Sequence, residues 1–196
     1  MPGATLFDAM PGGVDPGERT EAAHRTASLL VRGARNAADE DLITRIIHLA
    51  DDQGLDTVAD LWADSPADTL PGVLWRLYLL RAWVQADPAG AAREFDAGRK
   101  HAEVHEVIAG VVQPPGADEV RELADLVMRG VVTGDFATTL DRAAAFARVT
   151  AAGRGELSGQ APVDQGTARA VTAVRLVRLA DQLETAARLE RAGSLG

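Results

Sequence analysis

Four carboxylates stand in two closely spaced pairs within a stretch that we expect to be helical. Glu103 and Glu106 are three residues apart, and Glu122 and Asp125 repeat that spacing further along the chain. Three residues make slightly less than one turn of an α-helix, so each pair projects from one side of its helix. Carboxylate oxygens grouped in this way suit Mg²⁺, which can assist phosphate chemistry. One hypothesis for the function is therefore a magnesium-dependent hydrolase.

The spacing of these carboxylates is similar to the paired acidic motif of the all-α nucleoside triphosphate pyrophosphohydrolases. In that family two antiparallel helices present four carboxylates to magnesium, so the resemblance implies a nucleotide substrate and a magnesium cofactor. Helical phase argues against this function, because Val120 and Leu123 mark the apolar stripe of the later helix. Glu122 and Asp125 point away from that stripe. We expect a solvated acidic surface, and keep the pyrophosphohydrolase as the alternative.

Two histidines, His101 and His105, lie one helical turn apart, a spacing at which imidazoles can bind zinc. The zinc metalloprotease motif needs glutamate directly after the first histidine, where this chain has Ala102. The chain also has no cysteine to complete a zinc site. We expect both histidines to be exposed or hydrogen-bonded, with zinc binding as the alternative, and predict no cofactor.

Two arginines, Arg76 and Arg81, interrupt the most apolar stretch of the chain, residues 71–84. Arg81 falls in phase with apolar residues of the predicted helix, so part of its side chain must be covered. An unpaired buried guanidinium is costly, so it either meets a carboxylate or lines a cavity for an anionic group. Trp75 and Trp83 could add aromatic walls and cation–π contacts. We expect a structural ion pair, with an anion-binding site as the alternative.

The chain as a whole predicts an all-α fold of about seven to eight helices. Its alanine content, its capping residues and its helical periodicity support this class. Stacked antiparallel helical hairpins would form an irregular bundle or a short solenoid. One helix starts at Asp15, and the others are expected at 40–53, 56–63, 70–86, 88–112, 117–132, 135–152 and 167–192. The helix at 70–86 is apolar on nearly every side, so we expect neighbours to surround it.

The sequence divides into four predicted segments. Residues 1–14 are rich in glycine and proline and suggest a disordered arm. Residues 15–152 form the helical domain, and residues 153–166, with four glycines, are predicted to be a loop. Residues 167–192 form a C-terminal helix that docks on this domain or on a second subunit.

The C-terminal helix carries a narrow apolar seam that favours packing against another helix. Leu176 and Leu183 are its large members, with small alanines between and around them. Residues 141–196 hold eight of the 20 basic side chains but only six of the 29 acidic ones, so this segment can dock on an acidic surface. We predict that Leu176 and Leu183 are interface residues, in a homodimer or within the chain.

Composition narrows the function classes further. The formal net charge of −9 argues against general binding to nucleic acid, and no apolar run is long enough for a membrane span. We expect a cytoplasmic protein. Lysine is nearly absent, which indicates a GC-rich gene and so a bacterial source. No nucleophile or dinucleotide motif is present. The leading hypothesis is a non-enzymatic helical protein that binds a protein partner, with itself as one such partner.

Overall fold

The chain folds into helices throughout the part that a computed structural model describes. That part comprises residues 16–33, 56, 59–99, 118, 122, 135–160 and 162–196, with the backbone alone for 163–167 and 169. Its elements are α1 (Pro16–Arg32), a 3-10 turn (Asp60–Trp62), α2 (Leu70–Ala86), α3 (Pro88–Arg99), α4 (Phe136–Gly159) and α5 (Val163–Arg191). The all-α class is confirmed for these residues.

Several predicted segments lie outside the described residues. These are the arm at 1–14, the helix at 40–53, the second half of the helix at 88–112 and nearly all of the helix at 117–132. The described residues contain five α-helices, of which α4 and α5 form a long hairpin. The number of seven to eight helices and the stacking of further hairpins stay predictions.

The 3-10 turn is held against α1 by a buried tryptophan. Trp62 is fully buried, and its indole Nε1–H donates a hydrogen bond to Thr26 Oγ1 at 3.2 Å. The Thr26 hydroxyl in turn donates to the carbonyl of Ala22 at 2.8 Å. These bonds satisfy polar groups that would be costly to bury alone. The helix predicted at 56–63 therefore ends differently, with Asp60–Trp62 wound into the tighter turn.

The helix α2 spans the predicted residues 70–86, and its start is fixed by close backbone packing. Thr69 is the N-cap, and its Oγ1 accepts a hydrogen bond from the Gly72 amide at 3.2 Å. A Cβ atom on Gly72 would lie 1.7 Å from the Pro66 carbonyl oxygen, so this position requires glycine. The Leu70 amide donates to the Gly196 carbonyl at 2.8 Å, which joins the tail that follows α5 to the first residue of α2.

One face of α2 stays open. Val73, Leu77 and Val84 are buried, as the sequence predicts, but Leu79 is 42% exposed. The side chains of Trp75 and Trp83 are half-buried. The prediction that α2 is surrounded on every side is therefore wrong for the face that carries Leu79.

The backbones of α3 and α4 nearly touch at the point where the two helices cross. A Cβ atom on Gly98 would lie 1.8 Å from the Val149 carbonyl oxygen, and one on Gly153 would lie 1.7 Å from the Glu94 carbonyl oxygen. Gly153 thus allows close packing within a helix and does not end it. The prediction of a loop at 153–166 is wrong, since α4 continues to Gly159 and α5 begins at Val163.

Ion pairs tie α4 to α5 along their outer edge. The Arg148 guanidinium donates to Glu184 at 2.7 Å and to Asp181 at 2.9 Å, and Arg191 pairs with Asp141 nearer the other end of the hairpin. These side chains are partly exposed, so each ion pair contributes little to the free energy of folding. They fix the register in which the apolar seam of α5 meets α4.

The C-terminal tail turns back after α5 and packs on the core. Gly193 has a φ of +66°, and the Ser194 amide donates to the Leu189 carbonyl at 2.9 Å, as in a Schellman motif. Leu195 is buried as a result. The Arg32 side chain, in the last turn of α1, forms an ion pair with Glu190 and so holds α1 against the end of α5.

Two glycines of α4 should respond to alanine in opposite directions. Gly153→Ala forces a Cβ into the α3 backbone, so we expect the free energy of unfolding in urea to fall by about 1 to 3 kcal/mol. A Cβ atom on Gly155, in the same helix, would meet no other atom within 4 Å. Gly155→Ala should therefore raise the free energy of unfolding by about 0.5 to 1 kcal/mol, because alanine favours the helix more than glycine does. Equal effects of the two substitutions would contradict the close crossing.

The arginine groove, a candidate binding site

The open face of α2 forms one wall of a cavity whose other wall is α5. We call this cavity the arginine groove, and its volume is ≈ 400 Å³. Its basic and aromatic lining consists of Arg76, Arg154, Arg175, Arg178, Trp75 and Trp83. Four leucines supply the apolar surface, namely Leu79, Leu80, Leu176 and Leu179. Among the described residues that line the groove there is no acidic side chain.

Arg76 is held in place by hydrogen bonds to neutral oxygens. Its Nε donates to Gln182 Oε1 at 2.9 Å, and its Nη1 donates to the Gly72 carbonyl at 2.7 Å. Burial lowers the pKa of Arg76 from its usual value, the positive charge of Arg178 lowers it further, and Asp68 opposes both effects. The groove therefore holds a positive charge that is poorly solvated and only weakly compensated.

Arg154 lies at the other end of the groove and is mostly buried, with 8% of its surface exposed. Its Nε and Nη2 donate to Glu94 Oε2 at 2.9 and 2.7 Å, which links α4 to α3. Its Cζ lies 4.8 Å from the ring centroid of Trp83. The guanidinium is thus fixed by a carboxylate and by an aromatic face, an arrangement that stabilises a desolvated cation.

The two remaining arginines project from α5 at the spacing of one helical turn. Both Arg175 and Arg178 are exposed. Within the described residues, neither has a carboxylate at ion-pair distance. Their positive charges are therefore available to a ligand in the groove.

The Trp75 ring, in one wall of the groove, is held in place by Tyr78, the single tyrosine of the chain. Trp75 and Tyr78 stack with ring centroids 5.2 Å apart, and the Tyr78 hydroxyl donates a hydrogen bond to the Asp56 carboxylate. Burial, and next the hydrogen bond to Asp56, raise the pKa of Tyr78 to about 12. Stacking and hydrogen bonding together restrict the orientation of the Trp75 ring.

The structure brings together part of the site proposed from the sequence. Arg76, Trp75 and Trp83 line the groove, whereas Arg81 does not. Arg81 is five residues beyond Arg76, which places it about 140° away around the helix. There its charge lowers the pKa of Tyr78, against the larger raising effects.

Three of the groove arginines are not predicted at this site from the sequence. Arg175 and Arg178 carry a recognisable signal, since they are three residues apart on a helix whose opposite face is apolar. Arg154 falls in the segment predicted to be a loop, so its position could not be inferred. The groove depends on contacts between helices that are distant in sequence.

The predicted interface residues are used within the chain. Leu183 is fully buried and Leu176 is 8% exposed, so both are covered by other parts of the same chain, and Leu176 also lines the groove. Of the acidic quartet, Glu103, Glu106 and Asp125 lie outside the described residues, as do His101 and His105, and Glu122 is helical and exposed. No group of three metal-binding side chains occurs among the described residues.

Comparison of the chain with protein-family models, with curated proteins and with solved structures finds no match. In the described residues, no helix has the length and apolar character needed to cross a membrane.

The single tyrosine offers a direct test of this geometry. In an alkaline titration, tyrosinate absorbance should rise with a midpoint of about 12 instead of the ordinary 10.0. Because the folded state holds the Tyr78 proton more tightly than the unfolded chain, the free energy of unfolding should fall as the pH rises through this interval. Asp56→Asn should shift the midpoint downward. A midpoint near 10 in a chain that circular dichroism shows to be helical would contradict the Tyr78–Asp56 contact.

Proposed function

We propose that this chain is a non-enzymatic helical binding protein that recognises an acidic segment of a partner protein in the arginine groove. The observation that supports the proposal is the combination of four arginines and two tryptophans around one cavity. Guanidinium groups form paired hydrogen bonds with carboxylates, and tryptophan faces provide rigid apolar contact area. Arginine and tryptophan are also the residues that contribute most often to binding energy at protein interfaces.

The charge of the whole chain gives this groove selectivity. The formal net charge is −9, so an acidic partner is repelled by most of the surface and attracted at the arginine groove. Such a distribution orients the approaching partner and speeds association more than it raises affinity. Binding should therefore weaken as salt screens the charges.

The partner site is assigned to the groove and not to the seam of α5. Leu176 and Leu183 are buried within their own chain, so a second copy could reach both only after α5 moved away from its neighbours. The arginine groove needs no such opening, because Leu79 and both α5 arginines are already exposed.

Two synthetic helical peptides of equal length and apolar content test this function, one bearing glutamates on its polar face and one bearing lysines. Fluorescence of Trp75 and Trp83 should change on adding the acidic peptide, whereas buried Trp62 contributes a constant background. Binding of the acidic peptide should weaken with salt, and Arg175→Glu with Arg178→Glu should reverse the preference between the peptides.

Arg188→Glu provides the matched control, since Arg188 is exposed on the same helix outside the groove and should leave binding unchanged. Failure of the acidic peptide to bind, or equal binding of both peptides, would contradict the proposed function.

A further inference from the structure

The arginine groove has two positively charged ends separated by an apolar floor. At one end Arg76 contacts Gln182. At the other end Arg154 lies against Trp83. Leu79 and Leu179 contribute to the floor between them. The positive charge is thus divided between two positions.

The separation of the two ends follows from helix geometry. Arg76 and Trp83 are seven residues apart on α2, which corresponds to about 10 Å along the helix axis. The helix α5 runs antiparallel to α2, because the tail that follows it reaches the first residue of α2. Arg175 is seven residues before Gln182, so it comes to the end of the groove where Trp83 lies. The end at Trp83 therefore holds Arg154 and Arg175, the other end holds Arg76, and Arg178 lies between them.

The end at Trp83 retains a hydrogen-bond donor in a mostly buried group. Arg154 is 8% exposed and uses Nε and Nη2 for Glu94. Its Nη1 has no hydrogen-bond partner among the described residues, while the side chain lines the groove. A ligand carboxylate at this end can accept that hydrogen bond without displacing Glu94.

We infer that the occupant of the groove is an amphipathic α-helix with carboxylates at positions i and i+7 and apolar side chains at i+3 and i+4. This inference rests on the function proposed above and specifies the partner. Residues i and i+7 of a helix share one face and lie about 10 Å apart, which matches the two arginine ends. The apolar pair between them covers Leu79 and Leu179, and a helix laid into a groove between two helices is a common mode of peptide recognition.

An extended segment fits this spacing less well than a helix does. Side chains on one face of a strand repeat every second residue, at about 6.6 Å and then about 13 Å. Neither value places two carboxylates at both ends of the groove at once. The positions of the arginines thus favour a helical partner.

Three alanine-based helical peptides of identical length test the spacing. The first carries glutamates at i and i+7 with leucines at i+3 and i+4, the second has the same composition with the glutamates at i and i+5, and the third replaces both glutamates of the first by glutamine. Titration calorimetry with the full chain should show the first peptide binding about tenfold more tightly than the second, because only one glutamate then faces the groove. The third peptide should bind more weakly still.

Variants of the full chain locate the contacts. Arg76→Gln and Arg175→Gln remove arginines from opposite ends, and each should weaken the first peptide while reducing its advantage over the second. Arg188→Gln, outside the groove, should leave the affinities of all peptides unchanged. Circular dichroism should show the first peptide gaining helicity when it binds, and should show each variant chain to be folded.

The outcomes separate this inference from the proposed function. Equal binding of the first two peptides, with the glutamine peptide weaker, would overturn the inferred spacing and leave acidic recognition intact. Binding of all three peptides with one affinity, or of none, would overturn both. A linear dicarboxylate of about the same length that bound as tightly as the first peptide would overturn the helical partner in favour of a small dianion.

Discussion

The near-contact between α3 and α4 at Gly98 and Gly153 is the constraint on which the rest of the structure depends. Because neither glycine carries a side chain, Glu94 comes within reach of Arg154, the residue directly after the crossing. Phe95 stacks on Phe146 at a centroid distance of 5.3 Å just beside it. A bulkier residue at the crossing would separate the helices, and Arg154 would lose the partner that holds it at the end of the groove.

The composition of α2 explains why a groove exists at all. A helix that is apolar on nearly all sides needs neighbours on all sides, yet in the described fold α1, the 3-10 turn, α3 and α5 leave the face of Leu79 open. The half-buried tryptophans on this face extend the apolar surface, and the arginines of α4 and α5 surround it with charge. Exposed apolar area that is rimmed by polar groups is typical of binding sites.

The sequence predicted local features well where one residue controls the backbone. It placed the limits of α2, the start of α3 at Asp87 and Pro88, and the start of α4, where the Asp135 side chain caps the Ala137 amide at 3.1 Å. It failed at Gly153, because a glycine that ends a helix and a glycine that admits a neighbouring helix look the same in sequence. The site was predicted only as far as α2 itself supplies it, since Arg154, Arg175 and Arg178 reach the groove through tertiary packing.

Quenching of tryptophan fluorescence by ions tests most directly whether the groove is open and positively charged. Trp75 and Trp83 line the groove, whereas Trp62 is fully buried. Iodide should quench the fluorescence of the ligand-free chain much more strongly than caesium, because the arginines concentrate anions there. Replacing Trp75 and Trp83 together by phenylalanine should remove this quenching. Equal quenching by the two ions, or quenching by neither, would contradict an open, positively charged groove.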